Sequence, residues 1–211
     1  MANRSYLCGS REYRIQPSNW DENYDPDEQT LVNDVYGVPA LWFALFRPSD
    51  IVTQVFETED GDFHVEAPIN SKEKALEQLK DATEVLVKAF SGVGDVHEYI
   101  DFFEQAIAAS EWPFVTIEME EIAYTSDPEE FYRNVRRLLE KFEQHTANGV
   151  LDLLLELSAF EDLSVLPPAR YYLDSLEDVT ENDAWNHCRM IGAGQLNSGI
   201  GKSVPWEPTD A

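Results

Sequence analysis

Residues 51–92 read IVTQVFETEDGDFHVEAPINSKEKALEQLKDATEVLVKAFSG. Two β-favouring runs flank EDGD, where Asp60-Gly61 marks a hairpin turn because glycine takes positive φ without a Cβ clash. Directly after the second run Ser71 offers an N-cap. Leu76, Leu79, Thr83, Leu86, Val87 and Phe90 then recur at helical spacing, and Gly92 closes the segment. A hairpin that runs straight into a helix is an antiparallel unit, not the start of βαβ winding. With strands early and one in the middle, and helices between and after, the order predicts an α+β fold: a single compact domain with a small, mostly antiparallel sheet and about five helices.

Upstream of this stretch, NRSYLCG at 3–9 has the composition of a short strand, and QPSNWDENYDPDEQT at 16–30 is a Pro- and Asp-rich loop of strong negative charge. VPALWFALFRPSD at 38–50 reads as a short buried helix, with Pro39 tolerated in its first turn and Pro48 stopping it. Downstream, DVHEYIDFFEQAIAAS at 95–110 places Tyr99, Phe102, Phe103, Ala106 and Ile107 on one helix face. PFVTIEMEEIAY at 113–124 alternates as a strand whose outer face would carry Glu118 and Glu120.

The next segment, 126–149, opens with Asp127 as cap, Pro128 at the first helical position and Glu130 completing a capping arrangement, and closes at Asn148-Gly149. Its core stripe is Phe131, Val135, Leu138, Leu139 and Phe142. VLDLLLELSAF at 150–160 is a further short buried helix, 161–174 a Pro-broken connection, and Thr180 caps a last helix through 181–192. The expected organisation is one domain over 1–192 and a flexible C-terminal tail over 193–211.

Composition narrows the function classes. Against 15 Lys and Arg stand 41 Asp and Glu, a formal net charge of -26. Such a chain repels phosphate backbones and anionic lipid, since both are bound through clustered Lys and Arg, so neither nucleic acid nor membrane is an expected partner. The same field favours a basic protein partner and speeds its approach. The opening residues hold no apolar run long enough for a secretory signal. Cys8 and Cys188 are too few for a zinc quartet and read as two thiols, so a cytoplasmic location is expected.

No segment carries a complete catalytic motif. GIGKS at 199–203 matches the end of a phosphate-binding loop, but Leu196 stands where the first glycine is required and Val204-Pro205 follow where a helix must open. His97, Glu98 and Asp101 imitate half of a zinc-hydrolase helix without a third ligand, and ordinary amphipathic spacing accounts for them. Asp21, Asn23 and Asp25 open like a calcium loop, yet Pro26 occupies the turn-glycine position and Val32 that of the bidentate glutamate. His187 and Cys188 are adjacent and so diverge on a helix. Arg133, Arg136, Arg137 and Lys141 read as a solvated face paired with Glu129 and Glu140. No cofactor and no metal is implied.

The first residues, MANRSYLC, resemble the opening of a family of bacterial cytosolic proteins that begin Met-Ala-Asn-Arg-Ser-Tyr-Leu-Tyr, with Cys8 in place of the tyrosine. The match covers Met1 to Leu7, and the resemblance implies no catalytic residue. In general character the chain is similar to the immunity proteins of bacterial toxin systems. The resulting expectation is a monomeric cytoplasmic binding protein, not an enzyme: an immunity protein that occludes the active site of a cognate toxin through charge and aromatic contacts. Its candidate contacts are Trp20, Asp21, Glu22, Asp25, Asp27 and Glu28; Glu57, Glu59, Asp60 and Asp62; the Glu118, Glu120 and Glu121 edge; and Glu161 with Asp162. The alternatives are an enzyme with a nonstandard site, built around His97 or His187, and an adaptor or structural protein.

Overall fold

The computed structural model describes residues 4–15, 30–35, 37–58, 61–91, 96–158 and 190–192. Five strands, β1 (Arg4–Ser10), β2 (Thr30–Val35), β3 (Ile51–Thr58), β4 (Gly61–Ser71) and β5 (Phe114–Glu118), form one sheet in the order β2-β1-β5-β4-β3. Every neighbouring pair is antiparallel. Six α-helices are seen among the described residues: α1 (Ala40–Ala44), α2 (Lys72–Ala89), α3 (Val96–Ala109), α4 (Glu120–Ala123), α5 (Pro128–Glu143) and α6 (Val150–Glu156), with a single 3-10 turn at Pro48–Asp50. The fold is α+β.

The hairpin forms as its sequence dictates, with Ile51 opposite Pro68 at one end and Thr58 opposite Gly61 at the other. Ser71 then ends β4 and caps α2, its hydroxyl accepting from the Lys74 backbone N–H at 3.3 Å. The buried stripe of α2 is Ala75, Leu79, Ala82, Val85 and Leu86. It is rotated from the expected one, leaving Leu76, Thr83 and Val87 half-buried. The small alanines face inward because α2 is packed on several sides, by α3, α1, α5 and the sheet, and close approach there favours short side chains.

In α5 the Asp127 carboxylate accepts from the backbone N–H groups of Glu129 at 2.9 Å and Glu130 at 3.5 Å, with Pro128 opening the helix. Phe131, Val135, Leu138, Leu139 and Phe142 are buried as the periodicity predicts, and so is Asn134. The helix stops at Glu143, earlier than Asn148-Gly149 suggests. Gly149, at φ 81°, instead precedes α6 as its N-cap.

Leu7, Val115 and Ile117 line the helix-facing side of the sheet and join one core with Trp42, Phe43, Phe46, Phe103 and Phe142. Met190 and Ile191 belong to the same core, and the Trp42 indole N–H donates to the Ile191 carbonyl at 2.7 Å. β2 is an addition to the strands read from the sequence, beginning at Thr30 where a loop is expected. The 113–124 segment needs a larger correction. Its strand ends at Glu118, lies in the centre of the sheet between β1 and β4, and gives way to α4, so Glu118 is enclosed instead of lying on a bare outer edge.

Candidate functional site

Two polar clusters lie within the described structure, and their hydrogen bonding separates them. The first centres on Asp50, which is 2 % exposed. Asp50 Oδ2 accepts from the Arg47 backbone N–H at 2.7 Å, from Gln78 Nε2 at 3.1 Å and from Asn70 Nδ2 at 3.3 Å. The Arg47 guanidinium donates to the carbonyls of Ala44, Phe46 and Gln78 and to Asp81 Oδ2 at 2.8 Å. Every group in this network is matched, and its effect is to fasten the turn after α1 to α2. Such a satisfied network rigidifies a fold and leaves nothing for a ligand.

The second cluster forms where β5 meets α4. Strand alternation sends Val115 and Ile117 into the helix-side core and Thr116 and Glu118 to the opposite face. Thr116 is satisfied there, its hydroxyl donating to the Pro68 carbonyl at 2.9 Å. Glu118, opposite Tyr6 in the ladder, is not: it is 8 % exposed, and its Oε2 is buried with no hydrogen-bond partner. Met119 breaks the extended backbone and α4 follows at once, bringing Glu120 and Glu121 back toward Glu118. Glu121 Oε2 accepts from the Arg4 backbone N–H at 3.0 Å, which ties α4 to the start of β1.

Burial pushes the Glu118 carboxyl up to about 9, helped by the charges of Glu120 and Glu121. Burial likewise raises half-buried Glu120 to about 7, against backbone hydrogen bonds that pull it down. At neutral pH Glu118 therefore holds its proton and Glu120 is divided between its two forms. Glu120 also faces α5. The Tyr132 hydroxyl is pushed well above its usual range by burial first, then by Glu120, Tyr124 and Glu66. Glu66 on β4 forms an ion pair with Arg136 on α5, Oε2 to Nη2 2.8 Å, although the approach lacks hydrogen-bond alignment.

Glu118, Glu120 and Glu121 are thus brought together. Glu57 and Asp62 stand opposite each other in the β3–β4 ladder, far along the sheet order from β1. Trp20, Asp21, Glu22, Asp25, Asp27, Glu28, Glu59, Asp60, Glu161 and Asp162 lie outside the described residues, as does His187. His97 and Asp101 are exposed on α3, and among the described residues no three His, Cys, Asp or Glu side chains are grouped so as to hold a metal ion.

The basic face of α5 is partnered differently from the expected pattern. Arg136 reaches Glu66, and Arg137 pairs with Glu156 of α6 at 3.8 Å while donating to Asn134 at 2.9 Å. Tertiary carboxylates take the place of Glu129 and Glu140. Tyr132, Tyr124 and Glu66 carry no local signal of a site, since each reaches the cluster from a different element. No helix among the described residues is long and apolar enough to cross a membrane. Compared with protein-family models, curated proteins and solved structures, the chain matches none.

Proposed function

We propose that the chain is an acidic inhibitory binding protein of the bacterial cytoplasm, an immunity protein that neutralises a cognate antibacterial toxin by covering its basic active site. The observation that carries this reading is an imbalance at the surface. Eight of the twelve Lys and Arg side chains among the described residues are paired with carboxylates of the same chain, among them Arg11 with Glu111, Arg14 with Glu12, Arg47 with Asp81, Lys74 with Asp50, Lys80 with Glu104 and Lys88 with Glu84. Exposed carboxylates remain in excess, among them Glu73, Glu77, Glu98, Asp101, Glu129 and Glu130. A surface of this sign attracts a basic protein, with association faster by roughly ten- to a thousandfold at low salt. Tyr13 and Tyr124, 55 % and 61 % exposed, supply aromatic anchors of the kind that dominate binding energy.

The test is capture from lysate of the native bacterium at low and moderate salt, followed by an activity assay of whatever is retained. A basic protein held in stoichiometric amount, and inactivated when the chain is added, is the expected result. Retention only of neutral or acidic proteins, or of a basic protein whose activity is untouched, contradicts it. A second reading, an enzyme with a nonstandard site, draws on the proton retained by Glu118, a suitable general acid. It requires turnover of a small molecule that Glu118→Gln abolishes without loss of fold.

A further inference from the structure

The sheet has two edge strands, β2 and β3, and they are built differently. An edge strand directs every second N–H and C=O away from its neighbour, and soluble proteins blunt such edges with short strands, bulges, proline or lysine. β2 is six residues long, and its register with β1 shifts between Leu7 and Cys8. β3 spans eight residues and pairs with β4 in unbroken register from Ile51 to Thr58, and its sequence IVTQVFET holds no proline, glycine, lysine or arginine. Among the described residues no strand lies on its outer side. Thr53 and Val55 are exposed, Val55 by 48 %.

This edge is held from both faces of the sheet. On one, Val65 and Ala67 of β4 are buried with Ile15, Val52 packs against them, and the Gln54 side-chain carbonyl accepts from the Ile15 backbone N–H at 3.1 Å. On the other, Glu66, opposite Thr53, pairs with Arg136 of α5. A strand fixed in this way accepts another without first having to be ordered.

Charge selects the occupant. Residues 51–71 carry Glu57, Glu59, Asp60, Asp62 and Glu66 and no Lys or Arg. Glu57 stands directly opposite Asp62 in the ladder, a like-charge pairing that costs stability and that a cation on an adjoining strand offsets. A second copy of the chain would bring the same carboxylates to the edge, against a net charge of -26 on each copy. A strand with Lys or Arg beside Glu57 and β-branched residues beside Thr53 and Val55 satisfies both the open backbone and the charge.

Resting on the binding-protein reading above, we propose that the outer edge of β3 receives a basic β-strand of the protein partner, which runs antiparallel to β3 and extends the sheet. Backbone hydrogen bonds to β3 supply the affinity, and the cation beside Glu57 sets direction and register.

The intact chain is titrated at neutral pH and physiological salt with the peptide acetyl-Lys-Lys-Thr-Val-Thr-Val-Thr-amide. In the proposed pairing its second lysine falls opposite Glu57 and its valines opposite Val55 and Thr53. One companion peptide has glutamates for the lysines; the other has prolines for the valines, which keeps the charge but prevents strand pairing. Amide hydrogen exchange is followed by NMR. The lysine peptide is expected to bind saturably, about tenfold tighter than the proline companion, because only it completes the backbone ladder. The glutamate companion should not saturate, and exchange should slow at every second amide of β3 and not at β2. Glu57→Lys should narrow the preference for lysine over glutamate. Glu98→Lys on exposed α3, an equal change in net charge, should leave it as in the parent.

Equal binding of the lysine and proline peptides, equal effects of Glu57→Lys and Glu98→Lys, or protection of β2 in place of β3 overturns the assignment. So does protection of β3 that rises with chain concentration in the absence of peptide, the mark of a second copy on the edge. Should Glu57→Lys fold poorly, Val55→Lys at an exposed position of the strand is measured in its place: weakened binding of the lysine peptide supports the site, and unchanged binding overturns it. Failure here and failure of the binding reading are separable. A captured basic protein inhibited equally by the parent chain and by Glu57→Lys and Val55→Lys removes the strand site and leaves the inhibitor standing. Binding of the lysine peptide confined to β3, by a chain that inhibits no basic protein, does the reverse.

Discussion

Asp50 Oδ1 lies 2.6 Å from Lys74 Nζ, and the two ends of this contact are in different environments: the carboxylate is almost wholly enclosed while the ammonium is half exposed. The asymmetry assigns their contributions. Removing the carboxylate strands the Arg47 N–H and the Gln78 amide and takes one of its acceptors from the Asn70 amide, whereas removing the ammonium leaves Asp50 with those three donors. Asp50→Ala is expected to cost about 3 to 5 kcal/mol of stability. Lys74→Ala is expected to cost about 1 kcal/mol or less, because solvent screens its side of the pair. Urea denaturation of both variants checks the order, and equal losses contradict it.

Gly9 lies under the indole of Trp112. A Cβ built on Gly9 collides with the ring of Trp112 and comes within 2.6 Å of its Cβ, so the position has no room for any side chain. Trp112 is itself 8 % exposed and has the Arg11 guanidinium 5.3 Å from its ring centre. Gly9→Ala is therefore an overpacking change, expected to destabilise by about 1 to 3 kcal/mol. Combined with Trp112→Leu it should cost less than the sum of the two single changes, because the collision is gone. A double-mutant cycle by thermal or urea melting measures the coupling, and strict additivity would refute the contact.

Local signals explain which parts of this fold are legible in sequence. Ser71 and Asp127-Pro128 start helices through side chains acting on their own next turn, and Gly61 of the turn signal opens β4 opposite Thr58. β2 is not legible, because Thr30–Val35 follows a Pro- and Asp-rich run and pairs with β1 more than twenty residues away. The burial of Glu118 involves β1, whose Tyr6 stands opposite it in the ladder and lies far outside any window around residue 118. Charge alone singled out Glu118, Glu120 and Glu121. Tyr132 on α5 comes near Glu120, and Arg136 of the same helix pairs with Glu66 on β4, through tertiary packing that no local pattern announces.

Gly149 isolates a backbone effect from a packing effect. Its φ of 81° lies in the left-handed region, yet the nearest atoms to an added Cβ are Lys141 Cε and Nζ at 3.8 Å, ordinary contact distances. Gly149→Ala should accordingly cost about 1 to 2 kcal/mol from conformation alone. Gly149→Asn should recover part of that, since asparagine tolerates this region. Identical losses for the two variants, measured by thermal melting, would show that space and not φ governs the site.

The Glu118 carboxyl has a direct consequence for stability against pH. In the unfolded chain it titrates near 4.5, while in the folded protein burial and the charges of Glu120 and Glu121 hold its proton to about 9. Between those values the folded state binds the extra proton, so each rise in pH favours unfolding. The contribution of this group is full below about 4.5, falls by about 1.4 kcal/mol per pH unit at most, and levels off above 9. Glu120 adds a shorter decline of the same sign, ending near 7. Glu118→Gln keeps the shape of the protonated side chain and does not titrate, so it should flatten the decline and exceed the parent in stability at pH 8. Urea melts of the two proteins at pH 5, 7 and 9 give the difference directly. A gap between variant and parent that widens from pH 5 to pH 9 is expected, and parallel curves would mean that Glu118 is already ionised or reaches water in the folded chain.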